Sequence, residues 1–161
     1  MASSVPTVKQ VAWISLIPQL TVMGLLIYVL YIFHSPEPFL YGALTYLGLS
    51  FFLRNFVAKD HRDGMRLVKQ NNFEDAISKF KKSVTFFTKN NWLDKYRFLT
   101  LLSSSKMTYK EMGLCNIAFC YSQTNNGEKA KEYYEQTLRE FPENGLAIAG
   151  LRMMNSVESA N

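Results

Sequence analysis

The sequence predicts an all-α protein in two parts: an N-terminal transmembrane helical hairpin, then a short array of helix–turn–helix units with an inserted helix and a C-terminal closing helix. Three observations predict it. Residues 10–36 and 38–53 carry no charge, and only Lys9 and Glu37 interrupt the uncharged N-terminal third. One pattern of small and large residues occurs twice, 54 positions apart: Gly64, Leu67, Ala76, Phe80 and Ser83, then Ala118, Tyr121, Ala130, Tyr134 and Thr137. The remaining charged segments repeat their apolar residues every three or four positions, the period of a helix face.

Residues 11–33 form the first apolar run, long enough to cross a hydrocarbon core that needs about 20 helical residues. Pro18 predicts a kink there, and Gln19 needs a hydrogen-bond partner from a neighbouring helix. The stretch His34-Ser35-Pro36-Glu37-Pro38 reads as a turn, with Ser35 as a cap and Pro36 in the first turn of the next helix. The second span, residues 38–57, has a shorter apolar part, Phe39 to Leu53, and reaches its full length with Arg54 snorkelling to the interface. Gly42, Thr45, Gly48 and Ser50 offer small surfaces for contact with the first span. The hairpin turn has no Lys or Arg, whereas Lys9 and the run Arg54, Lys59, Arg62, Arg66, Lys69 lie at its other end. The positive-inside rule therefore places both termini and the C-terminal domain in the cytoplasm, as an integral membrane protein with two spans and a tail at residues 1–10.

The second span is expected to run on into a helix with a soft point near residues 59–64. Asn71-Asn72 ends that helix, and Glu74-Asp75 opens the next, whose apolar face is Phe73, Ile77, Phe80, Val84 and Phe87. Thr108-Tyr109-Lys110-Glu111 is a capping box that starts a third helix. Asn125-Asn126-Gly127 ends it, and a fourth helix runs to Phe141-Pro142. Asp75/Lys79, Lys131/Glu135 and Glu135/Arg139 are spaced as supportive ion pairs on wet faces. Between the two helix pairs, Trp92, Tyr96, Leu99 and Leu102 fall on one face of an expected helix in the insert 91–110. Residues 144–157, with Ile148, Leu151 and Met154, read as the closing helix.

Composition excludes several functions. The net charge of +5 is scattered rather than clustered with stacking aromatics, which argues against nucleic acid. Cys115 and Cys120 lie five residues apart on one helix, about 140° around its axis, so they neither pair nor form a zinc-ligand set. No phosphate loop, HExxH or GxSxG motif occurs. His61-Arg62-Asp63 reads as helix-face polarity, not as a metal or base pair. No enzyme activity, cofactor, metal or small-molecule substrate is expected.

The paired pattern resembles the tetratricopeptide repeat, a helix–turn–helix unit of 34 residues. Leu114, Ile117, Ala118, Tyr121, Ala130, Tyr134, Thr137 and Pro142 match its signature places, as do Gly64, Leu67, Ala76, Phe80 and Ser83 in the first copy. Asp63 stands where an apolar residue is usual and Thr88 where proline is usual. The resemblance covers about 57–90 and 111–144, within a domain at 58–161. It implies a scaffold that holds a peptide or helix in a groove lined by the first helix of each repeat. Carried onto this chain, the groove residues are His61, Arg62, Met65, Lys69, Asn116, Phe119 and Gln123. His61, Met65 and Cys115 interrupt the set that clamps a C-terminal carboxylate in chaperone-binding members.

Two roles are open for the insert: to cover the exposed apolar end of a two-repeat array, or to give a partner surface at Trp92, Tyr96 and Arg97. The expected function is a membrane-anchored adaptor that binds a protein or peptide partner. The alternative is a structural subunit or assembly factor of a larger membrane complex, recruited through the hairpin.

Overall fold

A computed structural model describes residues 12–158; the tail at 1–10, with Lys9, lies outside the described residues. Among those described, regular structure is helical throughout, with nine α-helices and no strand. A 3₁₀ turn, Trp13–Ser15, leads into α1 (Leu16–Ile32), which turns back as α2 (Pro38–Val57). The two helices approach closely at Gly42, where a Cβ would meet the Ile27 side chain at 2.5 Å. Ser50 is buried two turns further along, and between them the Tyr46 hydroxyl donates to Gln19 Oε1 at 3.4 Å. The row 42, 46, 50 is one face of α2. Thr45 and Gly48 lie off it and are exposed.

The hairpin departs from expectation, α1 by its length and α2, at 20 residues, by its polarity. Among the described residues no helix is long and apolar enough to cross a membrane. The first apolar run is not helical throughout: the Ser15 hydroxyl donates to the Ala12 carbonyl, and the α-helix begins only at Leu16. Its 17 residues span roughly 26 Å at 1.5 Å per residue. Pro18 therefore stands in the first turn, where no backbone N–H is needed, and starts the helix where a kink was expected. His34, at φ 54°, turns the chain out of α1. Pro38, not Pro36, takes the first position of α2, with Glu37 before it.

Ala58 breaks the helix just ahead of the expected soft point, and α3 (Lys59–Lys69) follows. It packs on α4 (Phe73–Lys89). A second pair, α7 (Tyr109–Gln123) and α8 (Gly127–Glu140), packs on the first through α4 and α7. Both pairs turn in the same way. Asn71 and Asn125 take the left-handed conformation that ends a helix, and Asn72 and Asn126 then accept from the backbone N–H of Asp75 and Lys129. The helices touch through small residues. A Cβ on Gly64 would meet the Phe80 ring at 2.7 Å, one on Gly113 the Val84 side chain at 2.6 Å, and Ala76, Ala118 and Ala130 are fully buried. Asp63 is paired: Lys79 reaches across from α4 to Asp63 and Asp60, and Arg66 pairs beside it. Lys79 therefore serves the helix crossing rather than the expected pair with Asp75, which is bonded to its cap Asn72.

The insert is not one amphipathic helix. It forms two short turns, α5 (Asn91–Lys95) and α6 (Arg97–Thr100), broken at Tyr96. Asp94 causes the break: its carboxylate is buried and accepts from the backbone N–H groups of Tyr109 and Lys110, both at 2.8 Å. That carboxylate caps the positive end of α7 together with the expected Thr108–Glu111 box, in which both bonds are made. Closing helix α9 (Gly145–Glu158) is fastened by Asn144, which accepts from Ala147 N–H and donates to Glu111. Gly150 of α9 lies against the Tyr134 ring, which a Cβ at that position would meet at 2.5 Å.

Replacing Gly64 by valine forces the Phe80 ring to move and is expected to cost about 1–3 kcal/mol. Gly48→Ala, which meets nothing within 4 Å, is expected to cause no loss. Thermal unfolding of the two variants under the same conditions, followed by circular dichroism, measures the difference.

Candidate partner-binding face

The α3–α4 and α7–α8 pairs lie side by side so that α3 and α7 meet. Their joint face carries the residues expected to line a groove, and the structure divides those residues into two sets. Met65 and Asn116 meet across the face, with Asn116 Nδ2 3.4 Å from Met65 Sδ. Lys69 and Arg62 are exposed, and Arg62 donates to Asn55 at the end of α2. Gln123 is half-buried and bonds the Ser122 hydroxyl. These five residues are at least partly open to solvent.

His61 and Phe119 are not. Phe119 is a core residue, edge-on to Phe73 with ring centres 6.2 Å apart. His61 is 8% exposed and sits between Phe80 and Tyr109, at 5.4 and 5.3 Å between centroids. Its Nδ1 has no hydrogen-bond partner among the described residues. Desolvation lowers the His61 pKa from 6.5 to about 4, so the ring is neutral at ordinary pH. A neutral imidazole among aromatic rings serves as packing.

The insert divides as well. Trp92, Tyr96 and Leu99 are 60%, 54% and 50% exposed, so they do not cover the end of the helix array. Arg97 is 7% exposed and belongs to no surface: its guanidinium donates to the carbonyls of Asp94, Ser105 and Lys106. Leu101 and Leu102 are buried, Leu101 packing with Ala58 and Phe87. The loop behind them reaches the hairpin. Arg54 of α2 donates to the Leu101 and Leu102 carbonyls, and the Ala12 N–H donates to the Ser104 carbonyl at 3.0 Å.

Sequence reasoning missed Arg54, Asp94 and Asn144 as fastening residues. For Asp94 a signal was present: it is the only acidic residue between Asp75 and Glu111. A cleft of about 790 Å³ between the starts of α7 and α9 is lined by Lys106, Glu111, Glu140 and Asn144. Glu111 and Asn144 bond each other, and Glu140 pairs with Lys110, so those three groups are engaged internally, while Lys106 is exposed. The signature residues Ser83, Tyr134 and Thr137 are buried, Leu67 and Tyr121 half-buried, and Pro142 exposed. Cys115 and Cys120 are buried free thiols, and burial pushes both up to about 12.

Because the folded state holds His61 neutral and the unfolded chain protonates it near 6.5, the stability it contributes is complete above that pH and is lost as pH falls toward 4. The loss between pH 7 and 4.5 is about 2–3 kcal/mol. His61→Leu is expected to flatten this part of the curve, measured by urea unfolding of both proteins at each pH. In the comparisons with known proteins, no family model, no curated protein and no solved structure matches this chain.

Proposed function

We propose that this protein is a membrane-anchored adaptor. Its hairpin α1–α2 lies in the bilayer, and its two helix pairs form a short tetratricopeptide-like array that binds a peptide or helix of a partner protein. The observation that carries the anchor is the distribution of exposed apolar side chains. Among the described residues, the exposed large apolar side chains all lie within residues 13–56 except Phe86, Trp92, Tyr96, Leu99 and Met153. Phe33, Phe39, Phe51 and Tyr31 are each more than two-thirds exposed. A surface of that extent, on both helices of one hairpin, marks a membrane or protein contact. Lipid also suits the backbone, whose polar groups are satisfied within the helices.

The array reading is supported by the small residues at the α3–α4 and α7–α8 crossings and by the matched Asn-Asn turns. Both occur at the 54-residue offset of the sequence pattern. The binding face is α3 with α7, where Met65 and Asn116 offer a half-buried centre and Arg62 and Lys69 an exposed basic rim. Such a rim favours an acidic segment on the partner. With its pairing groups internal and its thiols protonated, the body offers binding chemistry rather than catalysis.

A second reading, a structural subunit recruited through the hairpin, is favoured by the length of α1. A helix of roughly 26 Å in a core of about 30 Å is accommodated by local thinning or by packing with other helices. Gln19 Nε2, buried without a partner among the described residues, is a group that a further helix could bond.

Alkaline carbonate is expected to leave the full-length chain in the membrane pellet. Detergent-solubilised chain is expected to co-purify a partner that Lys69→Glu and Asn116→Ala weaken, by about 1–3 kcal/mol each where they bond the partner directly. Extraction by carbonate removes the anchor. Partners untouched by both substitutions but lost with Gly42→Leu place recruitment on the hairpin instead.

A further inference from the structure

We infer that the insert is a second membrane contact, in which Trp92, Tyr96 and Leu99 enter the headgroup region of an anionic bilayer beside the open end of the hairpin. The inference rests on the hairpin lying in the bilayer, as proposed above. Three observations carry it, and the first is position. A hairpin immersed in a bilayer has its open end at one interface, and here that end is defined by Ala12 and Arg54. Both bond the same short loop: Ala12 N–H reaches the Ser104 carbonyl, and Arg54 reaches the carbonyls of Leu101 and Leu102. Helix α6, just before that loop, packs on α1. The insert is thus held at the level where the hairpin leaves the hydrocarbon.

The second observation is exposure. Of the five large apolar residues exposed outside the hairpin among the described residues, four (Phe86, Trp92, Tyr96 and Leu99) lie in the insert and the turn of α4 leading to it. Trp and Tyr are the residues whose apolar ring and polar tip suit the membrane–water boundary. Trp13, 77% exposed at the foot of α1, and Phe56, 66% exposed near the foot of α2, add exposed rings at the open end of the hairpin.

The third is charge. Residues 76–110 hold eight Lys and Arg and one acid, Asp94. Asp94 is buried with both oxygens on backbone N–H groups, so it does not offset the surface charge. Lys95 lies over the Tyr96 ring and Lys89 lines the same surface hollow as Phe86, both exposed. Apolar rings with exposed lysines beside them match a bilayer bearing anionic headgroups, to which such lysines are attracted. The ties at Ala12 and Arg54 then hold the partner-binding face at a fixed height above the membrane, where a flexible tether would let it swing.

The test uses the chain's two tryptophans. Full-length protein carrying Trp13→Phe, with Trp92 as the sole tryptophan, is reconstituted into phosphatidylcholine vesicles with and without phosphatidylserine. Retention after carbonate is measured on the same samples. The expected result is blue-shifted Trp92 emission, quenched most by lipids brominated about 5–10 Å below the headgroup boundary. Quenching is expected to rise with phosphatidylserine and to fall in a Lys89→Glu, Lys95→Glu variant. Water-like, unquenched emission in vesicles that retain the chain overturns the inference and leaves the anchor standing. Blue-shifted emission that bromines do not quench also overturns it, because protein then covers Trp92, either a second copy or a partner. Loss of the chain to carbonate overturns both readings.

Discussion

Close approach of helices is possible here only where a side chain is nearly absent, and that constraint recurs at the crossings from end to end of the chain. Gly42 admits Ile27, Gly64 admits the Phe80 ring, Gly113 admits Val84 and Gly150 admits the Tyr134 ring, while Ala118 and Ala130 fill the α7–α8 crossing. Each of these glycines faces a large side chain, which fills the space that the glycine leaves. The arrangement explains how helices of 11–17 residues, marginal alone, form a stable body. Their packing, not their intrinsic propensity, holds them. It also explains why Phe80 is central: the ring lies under Gly64, edge-on to His61, and within the cluster that includes Ala76 and Cys120.

The insert does a different job from either helix pair. Its two short helices bring one buried carboxylate, Asp94, to the start of α7 and one buried guanidinium, Arg97, to the loop that follows. Burial pushes the Asp94 carboxyl up, while the two amide bonds and Arg97 hold it down. Leu102, at φ 47°, takes the left-handed turn that presents the Leu101 and Leu102 carbonyls to Arg54. A polar knot of this kind leaves few groups unpaired, which is the condition for burying charge at all. Phe87 stacked on Tyr109 at 4.8 Å closes it from the side of the body.

Local rules made much of this legible. The Thr108–Glu111 box, the Asn-Asn turns and the glycine beneath Phe80 each depend on residues a few positions apart or on a repeated spacing. Competition between neighbouring signals hid the rest. Pro18 reads as a kink only if the helix starts well before it, and the Ser15–Ala12 bond delays that start. Pro36 and Pro38 both suit a first turn, and nothing local chooses between them. The period of Trp92, Tyr96, Leu99 and Leu102 is helical, yet a buried carboxylate fifteen residues from its amide partner breaks the helix. His61 falls at a groove position by resemblance, but the ring of Tyr109, far along the chain, turns that position into core. On the insert, Arg97 is buried where a surface residue was expected, because exposure of a long side chain cannot be read from spacing.

The bonds from Ala12 and Arg54 to the insert loop have a consequence for biogenesis. Arg54 lies 48 residues from the carbonyl it bonds. At a translation rate of about 5–20 residues per second, roughly 2–10 s pass between the synthesis of one and the other. Throughout that interval the two legs of the hairpin stand together without the peptide that will later lock their feet. Pairing of the two legs is thereby separated in time from the docking of the body. The nascent chain can seat its first two helices before the rest of the molecule fixes the angle at which they are held.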